Sequence, residues 1–199
     1  MSRHSITFCE REIPLVFDMA AAERIEEQLG SLKKLYDNLR QRKQLRRTLD
    51  VAYRAMARSA MEHGADINDE IIDAGAQWQN PLMAAEDMRL YTFNQNAIVR
   101  AINDGFLVSY QTPEERRDKY LAAANRAVAN RKKNNDIPTT IDIYSKALEA
   151  GFSYTEARGV RPGFILDIYL RQQEREAMTA GAIGGLGKLL GAGGKRKRR

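Results

Sequence analysis

Cysteine is nearly absent: Cys9 is the only one in 199 residues. That excludes an intramolecular disulfide and any zinc site built on cysteine, and it fits a reducing cytosol. Histidine is almost as scarce. His4 and His63 are far apart, and neither belongs to a spaced motif with an acidic partner. No histidine-bound metal and no histidine-activated nucleophile is predicted; His63, beside Gly64, is expected to support a helix C-terminus. No apolar run reaches the 18 residues needed to span a bilayer, and the opening MSRHSITF lacks the apolar stretch of a secretion signal. An intracellular chain with no membrane partner is expected. Trp78, the lone tryptophan, is expected to be a core or lobe-contact residue rather than a ligand platform.

The body also lacks net charge. The chain carries a formal +6, but Lys188, Lys195, Arg196, Lys197, Arg198 and Arg199, with no acid among residues 188–199, account for all of it. A basic balance confined to one end says nothing about the surface of the folded part.

What is present is apolar periodicity. Ile6 and Phe8 alternate with polar neighbours, and Ile13 to Phe17 form a second apolar run after Glu10-Arg11-Glu12. This predicts a hairpin turning near residues 10–12, with Pro14 confining its strand to a sheet edge or a strand start. Asp18 stands as a helix N-cap. Met19, Ala22, Ile25 and Leu29 recur at helical steps up to Gly30, and Ser31 then caps a second stripe of Leu32, Leu35, Tyr36 and Leu39. A hairpin this small must lie on those helices.

That order, from the short strand through Phe17-Asp18 to the helix ending Glu26-Glu27-Gln28-Leu29-Gly30-Ser31-Leu32, resembles the small tail assembly chaperones of long-tailed bacteriophages and prophages. The resemblance covers residues 6 to about 75, with a fainter echo from Gly151 to Leu170. It implies a non-enzymatic cytoplasmic chaperone that coats the helical tape-measure protein and helps recruit tail-tube subunits. Such a role needs an apolar groove for amphipathic helices. The candidate lining is Leu45, Leu49, Tyr53 and Met56, with Phe164, Ile168 and Tyr169 from the second half; the alternative for each is ordinary core.

Further along, residues 44–63 read as a strong amphipathic helix. Arg40, Arg42, Lys43, Arg46 and Arg47 cluster at its start, either as a solvated junction paired with Asp37, Asp50 or a partner's acids, or as a phosphate- or acid-binding patch. Asp66 to Glu70 imitates a calcium loop, but Ile71 replaces its glycine and Gln77 its glutamate. A short helix capped by Asp66 or Asn68 is predicted instead. Asn80-Pro81 starts a helix broken near Tyr91-Thr92-Phe93 and resumed from Ala97 to Gly105, and Phe106 to Tyr110 reads as a packed connection. Thr112-Pro113 opens a helix to about Arg131, and Asn134 to Pro138 reads as a linker. Helices follow from Thr139 or Thr140, from the capping box at Ser153, and from Pro162.

From Thr179 the composition changes. Half of the fourteen glycines fall between Gly181 and Gly194, which predicts a flexible tail. Its end, Gly193-Gly194-Lys195, fails as a phosphate loop because Leu189 and Arg196 occupy the positions of the first glycine and of the Ser or Thr. Lys195, Arg196, Lys197, Arg198 and Arg199 could bind an acidic protein, nucleic acid or, without a lipid anchor or amphipathic helix to help, an anionic membrane, or act only as a solubilising end.

The resulting expectation is a mainly α protein with a small N-terminal hairpin on a helical bundle (residues 1–110), a smaller helical lobe (111–178) and a flexible tail (179–199). No catalytic residue, metal or cofactor is expected, and self-association is left open. The rival readings are a nucleic-acid-binding accessory protein of a mobile element and a structural virion protein.

Overall fold

The computed structural model describes residues 4–80, 87–107 and 137–191, with side chains to residue 179. It is mainly helical and begins with a two-stranded antiparallel sheet, β1 (His4–Phe8) and β2 (Arg11–Leu15). The turn is Cys9-Glu10, one step earlier than expected. Both residues have positive φ, 47° and 61°, the type I′ twist that matches the twist of the strands. The resulting register sets Ile6 opposite Ile13, and both are fully buried.

Helix α1 (Met19–Leu29) follows at once. The Asp18 carboxylate accepts from the Ala21 N–H at 2.8 Å, and Gly30, at φ 90°, donates its N–H to the Glu26 carbonyl at 2.7 Å. Ser31 caps α2 (Leu32–Gln41) through the Lys34 N–H at 3.1 Å. Helix α3 (Leu45–Glu62) is the centre of the fold, with α1, α2, β2, α4 (Asp69–Gly75) and a 3₁₀ turn (Ala76–Gln79) packed around it. The cap of α4 is Asn68, which accepts from the Ile71 N–H at 2.9 Å. The Tyr53 hydroxyl of α3 donates to the Ile72 carbonyl at 3.0 Å.

Helix α5 (Met88–Gly105) is continuous through Tyr91-Thr92-Phe93, where a break was predicted. Asp87 caps it, and the Tyr91 ring packs on Trp78 with centroids 5.3 Å apart. Aromatic residues are only modestly poor helix formers, so one good contact outweighs their propensity. Trp78 is itself a core residue. Phe106 then packs its ring against Phe17 and Tyr36, whereas Leu107 is exposed and the rest of the predicted packed connection lies outside the described residues. The predicted helix start at Pro81, the helix from Thr112 and most of the linker lie outside the described residues.

Thr139 and Ser153 open α6 (Thr140–Glu149) and α7 (Tyr154–Arg158) with full capping boxes, and α8 spans Pro162–Gly191. The predicted boundary near residue 110 lies outside the described residues, but those on either side of it share one core. Ile143, Tyr144, Ala147, Ala157 and Ile165 belong to the same buried cluster as Ile25 and Leu49. Glu26 of α1 accepts from the Thr140 N–H at 2.9 Å, and the Val160 carbonyl accepts from the otherwise orphaned Met19 N–H at 3.0 Å. A sequence pattern shows which face of a helix is apolar but not which neighbour covers it, and here α1 covers α6 and α7. Helix α8 also runs past Thr179, through residues where the sequence predicts a tail.

Candidate interaction surfaces

The α3 part of the predicted groove is core. Leu49, Tyr53 and Met56 are fully buried, and Leu45 is half-buried at the edge of the core. A central helix spends its apolar stripe on its own chain, so Leu49, Tyr53 and Met56 line no open groove, while Leu45 borders a shallow pocket with Arg46, Arg47 and Asp50. On α8, Phe164 is exposed while Ile168 and Tyr169 are half-buried. Tyr169 lies under the Lys146 ammonium, 5.7 Å from its ring centroid.

The apolar side chains left to solvent are mostly elsewhere. Met88 and Phe93 protrude from α5, and Ile141 and Leu148 from α6. Ile141 is 74 % and Leu148 57 % exposed, and seven positions apart they share one face of α6, away from the buried Ile143 and Ala147.

A second surface is the corner between α2 and α3. Arg40, Arg42, Lys43, Arg46 and Arg47 are all exposed. None forms an ion pair among the described residues. Of the two predicted intramolecular partners, Asp37 and Asp50, Asp50 is bound by Arg54 at 3.2 Å, and Arg54 also holds Asp73. Arg58 pairs with Asp69 at 3.3 Å and Arg24 with Glu62. The cations on the flanks of α3 are therefore matched within the fold, whereas those at its start are not. The predicted basic tail, Lys195 to Arg199, lies outside the described residues.

The two histidines, remote in sequence, meet at one cavity of about 740 Å³ that Phe17, Leu107 and Arg161 also line. His4 Nε2 is 2.8 Å from Asp104 Oδ2, and His63 Nε2 is 2.9 Å from Asp18 Oδ2. Each pair joins two elements: β1 to α5, and the end of α3 to the start of α1. His63 is indeed the C-terminal cap residue of α3. A carboxylate on Nε2 favours the tautomer protonated there, which orients the ring. Sequence spacing gave no signal for either pair, since each depends on how distant segments pack. Among the described residues, no group of three His, Cys, Asp or Glu side chains is arranged to hold a metal ion, and no helix is long and apolar enough to cross a membrane. Compared with known proteins, the chain matches no family model, no curated protein and no solved structure.

Proposed function

We propose that this chain is a non-enzymatic tail assembly chaperone of a long-tailed phage or prophage. It works in the host cytoplasm, binds the helical tape-measure protein and helps recruit tail-tube subunits. The hairpin followed by a capped α1 and α2 supports the reading, because that order carries the resemblance. The observation that carries the binding role is the outward pair Ile141 and Leu148 on a helix whose other face is anchored in the core. A client helix reads such a pair as anchors at i and i+7, and covering it removes apolar surface from water on both partners. Phe164 on α8 is a further anchor of the same kind.

The test is co-expression with the long helical protein encoded beside this chain. The wild type is expected to keep that client soluble and to co-purify with it. The double variant Ile141→Glu, Leu148→Glu is expected to stay folded, since both side chains face solvent, and to lose the client. A client that is soluble alone, or that the double variant retains equally well, overturns the proposal.

A further inference from the structure

We propose that the α2–α3 corner binds the phosphate backbone of a nucleic acid. Five cations stand within eight positions, Arg40 to Arg47, and no acid occurs from Asn38 to Leu49. The nearest acid after them, Asp50, is turned to Arg54, which it shares with Asp73, and forms no ion pair with the cations of the corner.

The corner is also held from behind. Asn38 Nδ2 donates to Thr48 Oγ1 at 3.0 Å, with both side chains buried. The buried Gln79 amide, in the orientation that satisfies both its groups, donates to the Arg46 carbonyl at 2.9 Å and accepts from the Asp50 N–H at 3.2 Å. Between these clamps the backbone passes through left-handed conformations at Arg42 (φ 53°) and Gln44 (φ 46°), which non-glycine residues adopt only at a cost. The first turn of α3 contains Arg46 and Arg47, no acid and no capping side chain. Cations there oppose the helix dipole, so the corner breaks the local rule in the sense that an external anion would repair.

The chemistry selects the partner. Four of the five cations are arginines, whose planar forks match phosphate oxygens. No large apolar side chain is exposed from Arg40 to Arg47, so an acidic protein helix would find no seam to pack against. No aromatic residue lies there either, which leaves backbone contact without base stacking. Binding is therefore expected to be sequence-independent and steeply dependent on salt.

The experiment is fluorescence anisotropy with a labelled DNA duplex of about 20 base pairs, from about 50 to about 200 mM salt. Three proteins are compared: the full chain, the triple variant Arg42→Gln, Arg46→Gln, Arg47→Gln, and a chain ending at Gly191 that lacks the basic end. The triple variant is expected to weaken binding at least about tenfold and to flatten the log–log salt slope by about 2 to 3, at roughly 0.9 for each phosphate no longer neutralised. The shortened chain is expected to keep that slope component. If thermal melting shows the triple variant to be destabilised, single Arg46→Gln and Arg47→Gln variants replace it, each flattening the slope by about 1. Three results overturn the proposal: no binding by the full chain, unchanged binding by the corner variants, or binding lost wholly with the basic end. The outcome does not depend on the tape-measure client, so this inference and the chaperone reading fail separately.

Discussion

Asn94 holds Thr7 by both halves of its amide: Nδ2 donates to the Thr7 carbonyl at 2.8 Å, and Oδ1 accepts from the Thr7 N–H at 2.9 Å. The side chain of α5 thus supplies β1 with the hydrogen bonds that a third strand would make. Asn94 is fully buried, so its amide needs those partners as much as the strand does. Asn94→Ala is expected to cost about 2 kcal/mol, which lowers the melting temperature by about 4–8 °C in a chain of this size. Asn94→Asp should be at least as damaging, because it keeps the acceptor but sets a carboxylate against the Thr7 carbonyl. Thermal melts of the two variants, side by side, decide it.

Asp18 serves two partners across the fold: the Ala21 N–H through Oδ1 and His63 Nε2 through Oδ2. Asp18→Ala loses the helix cap and the tie to α3 together, and about 2 kcal/mol is expected. Asp18→Asn keeps an acceptor for the cap and a polar group for the imidazole, so it should lose less than half of that. The interaction energy in a double-mutant cycle with His63→Ala measures the tie alone. A coupling of zero would show that the cap is the whole of the effect.

Two capping boxes make part of the stability dependent on pH. Hydrogen bonds from the Ser153 hydroxyl and N–H hold the Glu156 carboxyl below its ordinary value, and those from Thr139 do the same for Asp142. A folded-state pKa below the unfolded one means that the charged form favours folding. The contribution is complete above the unfolded-state value, near 4, and is lost as pH falls through the lower folded value. Glu156→Gln is therefore expected to melt below the wild type at neutral pH, with the gap closing toward pH 3. A gap that stays constant across that range would contradict the linkage.

Capped ends were legible in the sequence because a cap is a local contract between neighbours. Asp18, Ser31, Thr139 and Ser153 cap the helices they were expected to open. What could not be read is which apolar face remains open. Met56 and Ile141 both sit on periodic stripes, yet Met56 is enclosed by the packing around α3 and Ile141 is left to solvent. The histidine–aspartate pairs and the Asn94 clamp were illegible for the same reason, since each depends on how distant segments meet. The difference is measurable: Met56→Ala is expected to cost about 2–5 kcal/mol and Ile141→Ala less than about 0.5, read from urea unfolding midpoints.

Gly163, in the first turn of α8, lies against the end of α5. A Cβ at this position would come within 2.9 Å of the carbonyl carbons of Phe106 and Leu107, and closer to the Leu107 oxygen. Backbone cannot swing aside as a flexible side chain can, so α8 would have to lift from α5. Helix propensity alone predicts that Gly163→Ala stabilises α8 by about 1 kcal/mol, whereas overpacking predicts a net loss of about 1–3. Overpacking should win, because the clash is with main chain. Gly159 is the control: a Cβ there meets only the His63 ring, at 3.5 Å, an ordinary contact, so Gly159→Ala should be neutral or slightly stabilising. Urea unfolding of the two variants separates the effects. If Gly163→Ala proved as stable as Gly159→Ala, the close approach of α8 to the Phe106-Leu107 backbone would be wrong.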